Sequence, residues 1–333
     1  MHTMWTRRDV IHAATAAGLA TALPARAAGE PPPETTRIRL PRFGIDIACI
    51  APLWIAEELL RGEGFEEIRY VEMVQAQQIA ALVAGDIDLD MRSPIAPLLA
   101  LDAGQPLLVL GGIHAGCYEL FGTNGVRSIS DLKGRSVGVS DIGRRAFVSM
   151  MLQHVGLDAR KDVSYIDTSA TGGVRLLAEG RIDAYLGFPP EPQQIRSQRV
   201  DAVSLVDTAI DRPWSQYFCC SAISNREFVA KHPVATKRAL RAFVKAADLC
   251  AADPAGTART LVERGFLKDH ASSADALARI PYRRWREYDS ADTQRFYALR
   301  LHEAGLIRSS PQKLLAQGTD FRFVDQLKKE LKA

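Results

Sequence analysis

The chain has 333 residues, 47% hydrophobic and 24% charged, a globular composition sufficient for one large domain or two medium ones. Its formal net charge is only +3, and Arg7, Arg8 and Arg26 in the opening segment carry much of that excess. A near-neutral remainder gives no electrostatic case for nucleic acid or an anionic membrane surface as a partner.

The opening segment, Met1 to Ala28, reads as an export signal peptide. Arg7 and Arg8 form a twin-arginine pair, Val10 to Leu23 is a weakly apolar stretch, and Ala25 to Ala27 gives an A-x-A cleavage pattern. The apolar stretch is shorter than the roughly 20 residues a bilayer span requires. The paired arginines predict export by the twin-arginine route, which carries folded proteins. No cysteine stands at the expected cleavage point, so a lipid anchor is not expected. Residues 29–35, with Pro31 to Pro33, read as a stiff linker.

From there strands and helices alternate. The run "TRIRLPRFGIDIACIAP" is strand-like and "PLWIAEELLRGEGF" has a helical apolar face. After strand "IRYVEMV" comes helix "QAQQIAALVAG", closed by Gly85, then strand "DIDLDM", a short helix from Pro94 and strand "PLLVLGGIH". The unit then restarts with "DLKGRSVGVS", a helix to Gly156, strand "VSYIDT", a helix capped by Gly180 and strand "RIDAYLGF". "VAGDIDLDM" and "AEGRIDAYLG" align Gly85 with Gly180, Ile87 with Ile182 and Asp88 with Asp183. The repetition predicts two related, doubly wound α/β lobes built on mainly parallel sheets. From Asn225 onward the pattern is helical, with charged and apolar stripes.

The segments "DLKGRSVGVS", "LLAEGRIDAYLGFPPEPQ", "NREFVAKHPVATKRALRAFVKAAD" and "RLHEAGLI" resemble the nitrate/sulfonate/taurine group of substrate-binding proteins of ABC importers. That group also contains binders of thiamine-pyrimidine precursors. The resemblance covers essentially the whole chain after the linker. It implies a periplasmic binding protein (type II-like) fold: two α/β lobes joined by a two-strand hinge, with a helical C-terminal extension. The first lobe would comprise residues 36–116 and 221–333, and the second lobe would comprise residues 117–220. "GGIHAGCYELFG" and "WSQYFCCSAIS" would be the paired hinge strands. The implied activity is capture of a small anionic organic ligand of sulfonate or carboxylate type, with or without an aromatic body, by hinge closure. The closed form would dock on a membrane permease. A monomer in the periplasm, without cofactor and without nucleic acid, is expected.

Four loops and the hinge supply ligand-binding candidates. Trp54 in "CIAPLW" would stack on a planar ligand or fill the core. Arg92 and Ser93 in "MRSPI" precede a helix and would hold an anion; Ser93 is equally an N-cap type. Relatives in the group often carry small hydroxyl residues after Gly143, where this chain has Arg144 and Arg145, a departure that points to an acidic ligand group. Phe188 would stack, and Glu191 would accept from an amino group. His114 and Tyr118 sit near the hinge as hydrogen-bonding or packing residues. The His-x-x-Cys spacing of His114 and Cys117 has no second pair downstream, so no metal is expected, a structural zinc requiring four ligands. Five cysteines without a spacing framework do not build a disulfide scaffold. The stretch "YRRWREY" reads as a solvated or permease-facing edge.

Two alternatives stand beside transport: a thiamine-pyrimidine precursor binding protein, and an enzyme like the pyrimidine synthase that shares this fold. The synthase family carries Cys-Cys-Cys-Phe-Cys, where this chain has only Phe218–Cys219–Cys220. With no G-x-S-x-G, H-E-x-x-H, Walker A or Rossmann fingerprint either, the expectation is a chain that makes and breaks no bond. A sensory binding domain would read identically.

Overall fold

The computed structural model describes residues 30–169, 172–198 and 201–331. The signal peptide read from Met1 to Ala28 therefore lies outside the described residues.

Ten strands form three sheets among the described residues. Strands β1 (Arg37–Phe43) and β2 (Glu67–Met73) pair in parallel. They are linked by two short helices, α1 (Ala51–Ile55) and α2 (Glu57–Gly62), where the sequence predicts one. Helix α3 (Gln78–Ala84) leads to β3 (Leu89–Arg92), and α4 (Ile95–Asp102) leads to β4 (Leu107–Ala115). The five-stranded sheet has the order β7-β6-β8-β5-β9. It is built from β5 (Glu119–Gly122), β6 (Arg135–Val139), β7 (Val163–Asp167), β8 (Ala184–Gly187) and β9 (Val203–Asp207). Helices α5 (Ile142–His154), α6 (Gly172–Ala178) and α7 (Glu191–Gln198) connect these strands.

Strand β10 (Phe218–Asn225) inserts between β3 and β4, antiparallel to both. This corrects the expectation of mainly parallel sheets. The chain re-enters its first sheet from the opposite end, so the returning strand runs against its neighbours. Strands β4 and β10, read from the sequence as hinge strands, pair with Cys220 opposite His114 and with register shifts on either side of Cys220. Such bulges re-aim side chains locally. Gly116, at φ +21°, carries the chain from β4 toward β5; a Cβ there would fall 2.2 Å from the backbone of Ala209.

The C-terminal part is helical: α8 (Arg226–Lys231), α9 (Pro233–Ala252), α10 (Pro254–Glu263), α11 (His270–Arg279), α12 (Ser290–Glu303), α13 (Pro311–Gly318) and α14 (Arg322–Glu330). The helical pattern that begins after Asn225 breaks at His232 because Pro233 starts a new helix at its first position. Helix α9 buries Ala235, Ala239, Leu240, Phe243 and Ala247 in the same core as Leu53 and Trp54 of α1.

The repeated phrase performs the same task in both sheets. Gly85 and Gly180 have φ of +75° and +70°, the left-handed conformation that glycine adopts at least cost. Ile87 and Ile182 then enter the core. Asp88 accepts from the backbone N–H of Arg39 at 2.7 Å, and Asp183 from that of Ser136 at 2.9 Å. Each carboxylate thus anchors the backbone of another strand, β1 in one case and β6 in the other. Among the described residues no helix is long and apolar enough to cross a membrane.

Candidate functional site

The loop after β1, the turn after β3, the hinge and the N-terminus of α5 converge on one cleft. Its lining includes Cys49, Gln78, Arg92, Ser93, Tyr118, Asp141, Gly143, Phe188 and Cys220. It is closed down to a cavity of about 30 Å³, room for a water-sized occupant. A hydrogen bond from the N–H of Ala48 to the carbonyl of Pro189, 3.0 Å, crosses between the two sides.

Of the residues singled out in the sequence, Arg92, Ser93, Tyr118, Gly143 and Phe188 line this cleft. The Arg92 guanidinium donates to the Gln75 carbonyl at 3.1 Å and to the Gln78 side chain. Below it, Asp90 is fully buried, accepting from Gln78 at 3.0 Å and from its neighbour's N–H, Met91, at 2.7 Å. Burial pushes the Asp90 carboxyl up to about 7, against the opposing pull of Arg92. Asp141 caps α5 by accepting from the Arg144 N–H at 2.9 Å, and its side chain stays partly open to the cleft.

Other sequence candidates lie elsewhere. Trp54 is fully buried, donates to the Pro41 carbonyl at 3.0 Å and stacks on Phe266 at 5.3 Å. It is a core residue, because the first turn of α1 faces the sheet. Arg144 and Glu191, read as separate ligand contacts, hold each other at 2.9 Å in a buried network. The Tyr185 hydroxyl donates to Glu191 at 2.8 Å, and Arg144 also reaches Tyr185 at 2.5 Å and the Leu186 carbonyl at 3.1 Å. Burial raises the Glu191 carboxyl above its usual range, with Arg144 pulling the other way. Arg145, about 100° around the helix, is exposed beside Asp167 at 3.4 Å and lies over the Tyr165 ring.

His114 is fully buried at the hinge, but not alone. Cys49, His114, Cys117 and Cys220 place their donor atoms within 4.8 Å of one another. The His-x-x-Cys pair thus acquires companions from two distant segments, which corrects the reasoning that no second pair exists. Hydrogen bonds from Cys117 and then Cys220 hold the Cys49 thiol well below its ordinary range. Burial foremost pushes the Cys117 thiol well above its own. Sequence reasoning missed Cys49, Gln78, Asp90, Asp141 and Cys220 as cleft or near-cleft groups. The available signal was position: Cys49 and Asp141 stand just before the helices that follow β1 and β6.

The architecture and its inter-lobe cleft define a periplasmic binding protein fold. Similar solved structures include the periplasmic nitrate-binding protein of Synechocystis PCC 6803, at 15% identity and TM-score 0.73, covering 91% of this chain and 90% of that one. The aliphatic sulphonate binding protein of Escherichia coli matches at 20% identity and TM-score 0.64, covering 83% and 90%. The family described as NMT1/THI5 like matches residues 63–257, and the chain belongs to it. Curated relatives include the 4-amino-5-hydroxymethyl-2-methylpyrimidine phosphate synthases of Schizosaccharomyces pombe and Candida albicans (strain WO-1). The first is 27% identical over 211 residues, 57% of this chain and 58% of the relative. The second is 24% identical over 203 residues, 56% and 59%. The chain thus spans less than two thirds of these relatives' length. Their names overturn the expectation drawn from missing catalytic motifs: the similar curated proteins are enzymes.

Proposed function

We propose that the chain is a two-lobed clamp for a planar, amino-bearing small molecule with an acidic group, of the aminopyrimidine phosphate class. The observation that carries this reading is the division of the cleft lining. Arg92 and Ser93 offer a cation and a hydroxyl on one side, while Tyr118, Phe188 and Asp141 offer two rings and a carboxylate on the other. A phosphate suits Arg92, a flat ring suits the aromatic pair, and an amino group suits Asp141. Membership of the NMT1/THI5-like family and the names of the curated relatives support the same ligand class. With Arg144 and Arg145 committed to Glu191 and Asp167, a simple anion would find only Arg92 among the three arginines.

In this reading residues 36–116 and 221–333 form one lobe, residues 117–220 the other, and β4 and β10 the hinge. Opening must break the Ala48–Pro189 contact to admit ligand, and closure re-forms it. Export to the periplasm and delivery to an ABC permease complete the transport reading. A second reading, pyrimidine synthesis, is favoured by one observation: Cys49 and Cys220 stand in the cleft wall.

Isothermal titration tests the proposal, with 4-amino-5-hydroxymethyl-2-methylpyrimidine, its phosphate, an alkanesulfonate and nitrate as ligands. The phosphate is expected to bind tightest, and Arg92→Ala to weaken it about 10- to 100-fold, the worth of a charged hydrogen bond. Preference for the alkanesulfonate or nitrate would overturn the ligand class. Pyrimidine recovered unaltered from the denatured protein supports capture, and pyrimidine newly formed supports synthesis.

A further inference from the structure

We propose that Cys49, His114, Cys117 and Cys220 form a tetrahedral binding site for a soft divalent cation of the zinc class, tying the loop after β1 to both hinge strands. Three thiols and one imidazole are the donor set that such ions select. All four side chains are buried, at 4%, 0%, 8% and 4% exposure, so they are not a chance grouping on the surface.

The orientation of His114 is the second, independent observation. Its Nδ1 lies 2.9 Å from the Ala115 carbonyl, which fixes the proton there, and its Nε2 has no hydrogen-bond partner among the described residues. A ligating histidine is held in this way: the outer nitrogen donates to a carbonyl and the inner lone pair is left for the metal. Its ring is also wedged edge-on against Tyr282 at 5.2 Å, and the Tyr282 hydroxyl donates to the Cys49 carbonyl at 3.2 Å. Two ligand-bearing segments are therefore braced by the same residue. As plain core filling, the cluster would leave this buried ring nitrogen with thiols for neighbours within 4.8 Å, weak donors that do not reach it in hydrogen-bond geometry.

The spacing fits. Bonds of about 2.3 Å to sulfur set tetrahedral sulfur–sulfur separations of about 3.8 Å. The observed spread, up to 4.8 Å, closes by side-chain adjustments of about an ångström or less per group. Binding replaces the thiol protons by the metal and releases them to solvent. Cys219 is not one of the four donors, and Cys250 lies apart in α9.

The test uses the full mature chain, purified under reducing conditions, incubated with equimolar zinc chloride and gel-filtered. Elemental analysis is expected to find roughly one zinc per chain. Cobalt(II) in its place should give a thiolate charge-transfer band with intense tetrahedral ligand-field bands. Cys117→Ser and Cys49→Ser are each expected to lose the metal and the charge-transfer signature, while Cys250→Ser keeps both. Zinc that is not retained by the wild-type chain overturns the proposal, as does zinc retained equally by Cys117→Ser. A disulfide between two of the four cysteines, mapped in the unreduced chain, overturns it too. If the cysteine variants fail to fold, the wild-type zinc count and cobalt spectrum decide alone. Neither depends on the identity of the organic ligand.

Discussion

Two buried polar clusters stand near the same cleft, and they differ in the kind of atom each leaves unpaired. In the Arg144–Tyr185–Glu191 cluster the charges neutralise each other and both Glu191 oxygens are taken, one by Tyr185 and one by Arg144 and the Phe188 N–H, while Arg144 Nε and Nη2 have no hydrogen-bond partner among the described residues. In the Cys49–His114–Cys117–Cys220 cluster an imidazole nitrogen has no partner among the described residues and the donors converge on a common point. The first leaves over N–H groups on a cation whose charge Glu191 already matches; the second leaves over an imidazole lone pair among thiols, the donor type a soft cation takes. Neither nearness to the cleft nor an unpaired atom distinguishes them, but the chemistry of the unpaired atom does.

The strongest test of this contrast is Arg144→Ala. It strands a buried carboxylate, so a loss of about 3–5 kcal/mol in chemical denaturation is expected. The paired change Arg144→Met with Glu191→Leu should cost far less, because no charge is left behind. Zinc content should be unchanged in both. If Arg144→Ala instead left stability intact and abolished ligand binding, the two clusters would exchange roles.

Asp90 extends the comparison to a buried acid without a full set of partners, since its Oδ2 accepts from no group among the described residues. Its carboxyl titrates at about 7 when folded, above its ordinary 3.8. The folded state therefore holds a proton that the unfolded chain releases, and stability from this group is lost as pH rises from about 4 through 7. Asp90→Asn should raise the melting temperature at pH 8 and leave it nearly unchanged at pH 4, an effect on the order of a few kcal/mol at the higher pH. An identical gain at both pH values would show that ionisation is not the cause.

The two repeat aspartates give a smaller effect. Asp88→Ala and Asp183→Ala should each cost about 1–3 kcal/mol by leaving a strand N–H without its acceptor. Asp88 is expected to cost more, because it is nearly fully buried and holds the Arg39 guanidinium at 2.6 Å, whereas Asp183 is more open and stands 3.7 Å from Arg135. Smallest of all is Arg145→Ala. Its pair with Asp167 is solvent-exposed, so stability should change by less than about 0.5 kcal/mol and pyrimidine phosphate affinity not at all. A loss of affinity there would return Arg145 to the ligand site.

Much of the fold was legible because its determinants are local. Gly85 and Gly180 announce helix ends through the conformation only glycine takes cheaply, and the period of the apolar residues around them separates strand from helix. The hinge strands were legible as two apolar runs, but not the bulges at Cys220 that set which way its thiol faces. That Arg92, Ser93 and Phe188 line the cleft was legible from the rule that loops beyond strand ends converge, and Tyr118 from its place between β4 and β5. Trp54 did not, since a helix pattern shows that a face is buried without showing which neighbour buries it.

The sequence by itself therefore determined the alternation of elements and the glycine that closes a helix in each copy of the repeated phrase, signals written in spacings shorter than one helix. Only the tertiary structure decided that Arg144 belongs to Glu191 rather than to a ligand, and that Cys49 and Cys220 join His114 and Cys117. These partners stand on different elements, far apart along the chain, and meet only once the sheets and the hinge are assembled. Side-chain chemistry over such separations is set by where the fold brings groups together, not by their order in the sequence.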